Sequence, residues 1–177
     1  DARGEIAYAS RIDDGNRELP EGWALASLHD GLIDDVQPGF ACGAHSRGGT
    51  GTVPHLRPMN VTVDGKIDLA DLKSVPALEV DRDARWLRSG DVLFNNTNSP
   101  PLVGKTAFYG DTTPRAFSNH MTRLRCRRDS LDPQFCALAL HSQWQAGYFE
   151  SICNNHVSQA SISRSVLLNT QVALPPL

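Results

Sequence analysis

The segment GDVLFNNTNSPPLVGK, residues 90–105, changes character halfway along its length, and the fold prediction depends on that change. Asp91 after Gly90 is followed by a short apolar run at residues 92–94, which is typical of a buried strand. Five small amide and hydroxyl side chains follow at residues 95–99, and two prolines then interrupt any regular structure. Residues 105–109 resemble a strand again. We therefore predict two strands joined by a loop that is unusually rich in neutral hydrogen-bonding groups.

Short strand patterns recur along the rest of the chain. They occupy residues 23–28, 53–63, 75–80, 121–126 and 171–174. The prolines at positions 54 and 58 indicate that the second of these is an edge strand. Asp64-Gly65 after it is typical of a hairpin turn.

One long helix is predicted near the C-terminus, over residues 132–152. Asp132 suits the N-cap and Pro133 the first helical position. Apolar residues, among them Leu138 and Trp144, continue at helical intervals, and we expect the aromatic side chains among them to lie in the core. The predicted class is α+β, with an irregular, twisted, mostly antiparallel sheet and one long helix near the C-terminus.

Length and composition favour a single soluble domain. The chain has 177 residues, of which 40% are hydrophobic and 21% charged. No apolar run approaches the roughly 20 residues of a membrane span, and the first residues lack a signal-peptide pattern. We expect a cytoplasmic protein with no membrane contact. Residues 1–18 are interpreted as a tail or the remnant of a preceding element, and residues 19–177 as the domain.

Charge is distributed unevenly, although the net charge is only −3. Residues 1–36 carry three basic and nine acidic groups, whereas residues 82–128 carry nine Arg and Lys against three Asp. Such a segment is often an ordinary solvated surface. Because this one also contains the Asn-rich loop, it favours contact with a polyanion.

Catalytic patterns are missing from the sequence. It contains no G-x-S-x-G, Walker or H-E-x-x-H motif, and its four cysteines have no zinc spacing. The stretch Asn98-Ser-Pro-Pro-Leu resembles the Asn-Pro-Pro-aromatic motif of amino-methyltransferases only superficially, because a serine intervenes and Leu102 replaces the aromatic ring. We expect no enzyme activity, no cofactor and no metal site.

Polar side chains suited to recognition are concentrated in five loops. Asn and Gln can bind adenine through two hydrogen bonds, while Arg and Lys bind guanine or phosphate. The alternative is that Asn and Ser simply favour turns. The candidate DNA-binding residues are His45, Arg47, Arg57, Asn60, Asn95, Asn96, Thr97, Asn98, Lys105, Arg115, Asn119, His120, Ser158 and Gln159.

Several short motifs occur in an order that resembles a known family. They are LPEGW at residues 19–23, VPHLR at 53–57, SGDVLFNNTNS at 89–99, VGK at 103–105, QASI at 159–162 and VALPPL at 172–177. Together they resemble the target recognition domain of the type I restriction–modification specificity subunit, over nearly the whole chain. The chain departs from the family's usual pattern at Asn60, where Asp is frequent, and at Ser161, where Asn is frequent.

The resemblance implies a non-catalytic domain that binds one half of a split target on double-stranded DNA. It also implies partner subunits, a modification (methyltransferase) subunit that methylates adenine and a restriction subunit that cuts unmodified DNA. In the family, long helices normally follow the closing VALPPL, which leaves open an excised domain or a helix supplied by a partner chain. Two other readings remain: the recognition domain of a single-chain restriction–modification enzyme, and a module that binds protein or another ligand instead of DNA.

Overall fold

A computed structural model describes residues 19–41, 51–76, 86–155, 157 and 159–176. The predicted tail at 1–18, the strand residues 77–80 and the candidate residues His45, Arg47 and Ser158 lie outside the described residues. No helix among those described is long and apolar enough to cross a membrane.

The described chain forms thirteen short strands and three helices. The strands are β1 (Ala24–Ser27), β2 (Ile33–Pro38), β3 (Thr52–Leu56), β4 (Lys73–Pro76), β5 (Trp86–Leu87), β6 (Asp91–Phe94), β7 (Thr97–Asn98), β8 (Thr106–Tyr109), β9 (Arg115–Phe117), β10 (Thr122–Cys126), β11 (Asn154–Asn155), β12 (Ala160–Ser161) and β13 (Gln171–Leu174). The helices are α1 (Pro133–Gln145), α2 (Tyr148–Ile152) and α3 (Arg164–Leu168). Short 3-10 turns occupy Pro58–Asn60 and Pro100–Leu102. This confirms the predicted α+β class.

The central sheet has the order β2-β10-β6-β8 and is entirely antiparallel. Strands β6 and β8 flank the Asn-rich loop and pair directly, with Phe94 opposite Thr106. One face of the sheet, which includes Val92, Phe94 and Leu124, packs on α1 and on strands β1 and β13. The predicted pair of strands joined by a polar loop is therefore confirmed.

A second sheet, in the order β4-β3-β9-β5, packs on the other face. Strand β3 lies between β4 and β9, so its prediction as an edge strand is wrong. Pro54 is tolerated there because β9 pairs only with residues 55 and 56, beyond the proline. The strand also ends at Leu56 instead of residue 63, whereas the turn at 64–65 is confirmed by the bond from Thr62 N–H to the Lys66 carbonyl.

The predicted long helix is broken into two. Asp132 caps α1 as expected, accepting from the Phe135 amide at 2.8 Å. At Gly147 the backbone turns left-handed with φ 80°, and α2 starts in a new direction. Leu138 is 66% exposed although it continues the apolar spacing, whereas Trp144, an aromatic expected in the core, is half-buried against it.

Two small sheets complete the architecture. Strands β1 and β13 pair antiparallel, so the first and last described strands lie side by side. The other small sheet has the order β11-β12-β7, and its strand β7 follows β6 in the chain. The second of these sheets brings distant polar loops together.

Candidate nucleic-acid interface

Three of the five predicted polar loops meet at one end of the central sheet. Asn98 and Thr97 of β7 pair with Ala160 and Ser161 of β12, and β12 pairs in turn with β11. The Thr97 amide donates to the His120 carbonyl at 3.2 Å, which adds the turn at 118–120. We name the resulting group of partly or fully exposed polar residues the amide surface. It comprises Asn96, Thr97, Asn98, Asn119, His120, Asn154, Asn155 and Gln159.

Asn96 holds these loops together. Its side-chain nitrogen donates to the Asn119 carbonyl at 3.3 Å and to the Thr122 hydroxyl at 3.1 Å. Its backbone carbonyl accepts from the Ile162 amide at 2.9 Å. Because the donors of Asn96 are engaged inside the protein, the residue positions the amide surface rather than presenting free donors to a ligand.

Several other members of the amide surface keep unused hydrogen-bonding groups. Asn119, Asn154 and Gln159 are exposed, and within the described part of the chain their amide nitrogens have no protein acceptor. Asn98 uses only its oxygen, which accepts from the Ser99 amide at 2.8 Å. The half-exposed imidazole of His120 lies beside them. These neutral groups can donate to and accept from a ligand.

Three candidate residues point inward instead, and we withdraw them from the predicted interface. The Asn95 side chain is 0% exposed and donates to the Pro58 carbonyl at 3.0 Å. The Lys105 ammonium is buried against the Val61 carbonyl, and burial lowers its pKa. Asn60 donates to the carbonyls of Asp68 and Asp71 and accepts from the Arg57 amide. All three hold the 3-10 turn after β3 and its neighbours in place.

The remaining two basic candidates are both ion-paired. Arg115 sits at the start of β9, where it binds Asp111 at 2.6 Å and lies over the Tyr109 ring. Burial lowers the pKa of Arg115, but its bonds to Asp111 and Tyr109 outweigh burial and raise it. Arg57 pairs with Asp71 at 3.4 Å. Neither guanidinium is a free cation beside the exposed amides.

The basic segment also turns inward at the opposite end of β10. Arg123 is 0% exposed and bonds to Asp35, while Arg125 binds Asp91 at 2.8 Å. Both guanidiniums also donate to the carbonyl of Trp86. Burial would raise the pKa of Asp35, but hydrogen bonds from Gln37 and Arg123 hold it below its usual value. Two cations and two anions cancel here, so two of the nine basic residues in segment 82–128 belong to a largely buried ion-pair network.

Sequence reasoning overlooked these partners, although a signal existed. Arg123 and Arg125 are two apart in a predicted strand, and this spacing places both side chains on one face of the sheet. Asp35 and Asp91 occupy the matching positions opposite Arg125 on its two neighbouring strands. An alternation of Arg in one strand with Asp in others is a pattern that indicates internal pairing.

A curated relative covers most of the chain. The sequence is 28% identical over 162 residues to a Methanocaldococcus jannaschii protein named as a type I restriction enzyme MjaX specificity subunit. The match includes 90% of this chain and 37% of that protein. No protein-family model matches the sequence.

Solved structures agree with that relationship. The HsdS subunit from Thermoanaerobacter tengcongensis superposes with a TM-score of 0.66 at 20% identity, over 92% of this chain and 40% of the other. The chain has the fold of a type I specificity-subunit domain. The S subunit from M. genitalium gives 0.58 at 12% identity, over 94% of this chain and 37% of its own. This chain spans about two fifths of the length of the specificity subunits it matches.

These matches confirm the resemblance that the motif order predicted. They also agree with the expectation of a non-catalytic component, because the relatives are named as specificity subunits. Within the described ranges, no group of three or more His, Cys, Asp or Glu is placed to hold a metal ion.

Proposed function

We propose that this chain is a non-catalytic module that binds one half of a split target on double-stranded DNA. The observation that carries the proposal is the convergence of three neutral polar loops on one surface, in a domain with the specificity-subunit fold. Unused amide donors and acceptors are the groups that distinguish base edges in a groove. A surface that bound DNA only through phosphates would instead be rich in cations.

Within this proposal, Asn119, Asn154 and Gln159 contact base edges, and His120 and Asn98 lie close enough to assist. Asn and Gln match adenine by two hydrogen bonds, and each such pair contributes about 1–3 kcal/mol of discrimination. Asn154 and Asn155 were not among the residues predicted one by one, and the pairing of β11 with β12 supports adding them.

The domain acts, in this proposal, with other subunits in the cytoplasm. A modification subunit methylates adenine at the bound target, and a restriction subunit cuts DNA whose target is unmodified. The support is the relationship to specificity subunits. The alternative of a recognition domain within a single-chain enzyme would give the same amide surface and differ only in what the domain is attached to.

Selection of bound sites from a random duplex library tests the proposal. The proteins are the parent, Asn119→Ala, Asn154→Ala and the control Asn169→Ala, an exposed asparagine at the end of α3 outside the amide surface. We expect the parent and the control to select the same site, and each of the other two variants to lose preference at one or two positions. Selection of the same site by all four proteins would show that the amide surface does not recognise bases.

Salt dependence separates DNA binding from the non-DNA alternative. A duplex ligand releases counterions, so its affinity falls steeply as salt increases. Binding to a neutral peptide or sugar lacks that dependence. If the chain shows no salt-dependent duplex binding, the proposal fails in favour of a protein or ligand module.

A further inference from the structure

The cleft beyond the buried ion pairs contains two arginines with no carboxylate partner. It lies at the start of β6 and the end of β10, and it is lined by Asp34, Asp35, Arg88, Ser89, Gly90, Asp91, Arg125, Cys126 and Arg128. Arg88 and Arg128 are both exposed. Their positive charge is available to a ligand only if no carboxylate neutralises it.

The ion pairs beside the cleft balance three aspartates against three arginines. Asp35 bonds to Arg123, Asp91 to Arg125 at 2.8 Å, and Asp34 to Arg127 at 3.2 Å. The three lining carboxylates are thereby each matched by an arginine. Within the described residues, neither Arg88 nor Arg128 has a carboxylate in salt-bridge range, so the cleft carries an excess of two positive charges.

Arg88 and Arg128 belong to neighbouring segments of the backbone. Arg88 begins the turn into β6, and the Asp91 carboxylate accepts from its amide at 2.9 Å. Arg128 follows β10 and lies over Gly90, where an added Cβ would come within 2.3 Å of its terminal nitrogen. Glycine at position 90 therefore lets Arg128 approach the turn that carries Arg88.

Two of the described cations without a salt bridge lie at this cleft. Besides the buried Lys105, four cations in the described ranges lack a salt bridge: Lys73, Arg88, Arg128 and Arg164. Among these four, only Arg88 and Arg128 line the same cleft. Since the amide surface contains no Lys or Arg among its members, a DNA-binding domain of this kind needs its phosphate contacts elsewhere.

We propose that Arg88 and Arg128 form a phosphate-binding cleft that holds the backbone of the same DNA whose bases contact the amide surface. This inference rests on the proposed function. From Gly90 at the cleft to Asn96 in the amide surface is six residue steps, and four of these residues form β6, so the two backbone positions are at most about 20 Å apart. That span corresponds to about six nucleotides along one strand. Guanidiniums bind phosphate oxygens through two parallel hydrogen bonds, which suits them to this role better than a lysine.

A matched pair of double variants tests the cleft. Arg88→Gln/Arg128→Gln and the control Lys73→Gln/Arg164→Gln each remove two unpaired positive charges from the 177-residue chain. Duplex affinity is measured against salt concentration on the selected site and on a scrambled duplex. We expect the cleft variant to lower the slope of log K against log salt by about two units, equally on both duplexes. The control should change the slope much less, and equal changes in the two variants would overturn the cleft.

Nuclear magnetic resonance of the arginine Nε–H groups identifies the source of the phosphate. We expect the Arg88 and Arg128 signals to shift on addition of duplex. A shift with inorganic phosphate and none with duplex would mean a site for a free anion, and it would overturn the assignment to DNA. No shift with either probe would favour an acidic protein partner and would also overturn it.

The two proposals fail in different ways. A parent chain that binds all duplexes alike, with a slope that depends on the cleft, would defeat base recognition by the amide surface and leave the cleft intact. A parent that selects a defined site, with a slope unaffected by the cleft variant, would defeat the cleft alone.

Discussion

Polar side chains at the two ends of strands β6 and β10 differ in charge, burial and pairing. At the Asp91 and Arg125 end, charged groups pair with one another across three strands, and two of them, Arg123 and Asp91, are buried. At the Phe94 and Thr122 end, the chain passes into loops of neutral amides, several of which are exposed and unpaired. Net charge along the sequence therefore gives no measure of which surface a ligand meets.

The difference follows from the cost of burial. An isolated buried charge is strongly unfavourable, so Arg123 is buried only together with Asp35 and the Trp86 carbonyl. An exposed amide carries no such cost and stays available to a ligand. The buried ion pairs thus support the fold, and the amides at the neutral end stay free for a ligand.

The largest effect is expected from breaking the buried network. Arg123→Met should destabilise the protein by about 3–5 kcal/mol, because Asp91, which is 1% exposed, keeps only Arg125 and Asp35 loses the guanidinium that bonds to it. Chemical denaturation measures the loss. Arg127→Met is the control, since its pair with Asp34 is exposed and should contribute only about 0–1 kcal/mol. Similar losses in both variants would mean that the network is not specially buried.

A smaller loss is expected at Trp144, which supports the loop beneath the amide surface. Its indole nitrogen donates to the Pro101 carbonyl at 2.9 Å, and its ring contacts His141 with centroids 4.9 Å apart. Because the ring is only half-buried, Trp144→Ala should cost about 2–3 kcal/mol, less than for a fully buried tryptophan. Thermal and chemical denaturation both report it. Trp144→Phe keeps the ring contact and should lose only about 1 kcal/mol, the hydrogen-bond share.

The asparagine tract itself provides the sharpest contrast. Asn95→Ala should cost about 1–3 kcal/mol of stability, because the Pro58 carbonyl loses its donor, and should leave base preference unchanged. Asn98→Ala should do the reverse, with a stability change near zero. Denaturation and site selection on the same two proteins decide the matter. Altered preference in the Asn95 variant, at positions that Asn98→Ala leaves unchanged, would place Asn95 in the interface after all.

This tract also marks the limit of what the sequence could predict. Strand β6, the Asp132 cap and the turn at 64–65 follow from local patterns, and the structure has all three. Residues 95–98, in contrast, look alike in sequence. Asn95 is buried, whereas Asn98 is partly exposed. Only the pairing of β7 with β12 determines which of these side chains faces outward.

The helix and the basic segment show the same limit at longer range. The break at Gly147 depends on a single left-handed residue, which the apolar spacing across 132–152 conceals. The direction of Arg123 depends on Asp35, which is 88 residues away in the chain. Local periodicity carries no information about such partners, so the predicted class was right while several predicted site residues are buried.

His55 offers a buried ionisable group without a counter-charge, unlike Arg123. It is 3% exposed, neither ring nitrogen has a hydrogen-bond partner among the described residues, and burial lowers its pKa from 6.5 to about 4. Between pH 6.5 and about 4, His55 is protonated in the unfolded chain and neutral in the folded chain. This residue therefore removes stability as pH falls from 6.5 towards 4, by at most about 1.4 kcal/mol per pH unit. His55→Phe should flatten the pH dependence of the denaturation midpoint across this window, and an unchanged profile would contradict the assignment.

The smallest effect is expected from removing the charge of Lys105. Lys105 is one of the candidate DNA-binding residues of the basic segment, and loss of a lysine that neutralised a phosphate would lower the salt slope of DNA binding by about one unit. Its ammonium is instead buried against the Val61 carbonyl, where no phosphate can reach it. Lys105→Met removes one hydrogen bond but also removes a buried charge, and these changes oppose each other in the free energy of unfolding. We expect an unchanged salt slope, measured beside Arg88→Gln, which should lower it by about one unit. Equal reductions in the two variants would show that charge anywhere in the segment serves DNA binding, and the contrast between the two ends of the sheet would then be lost.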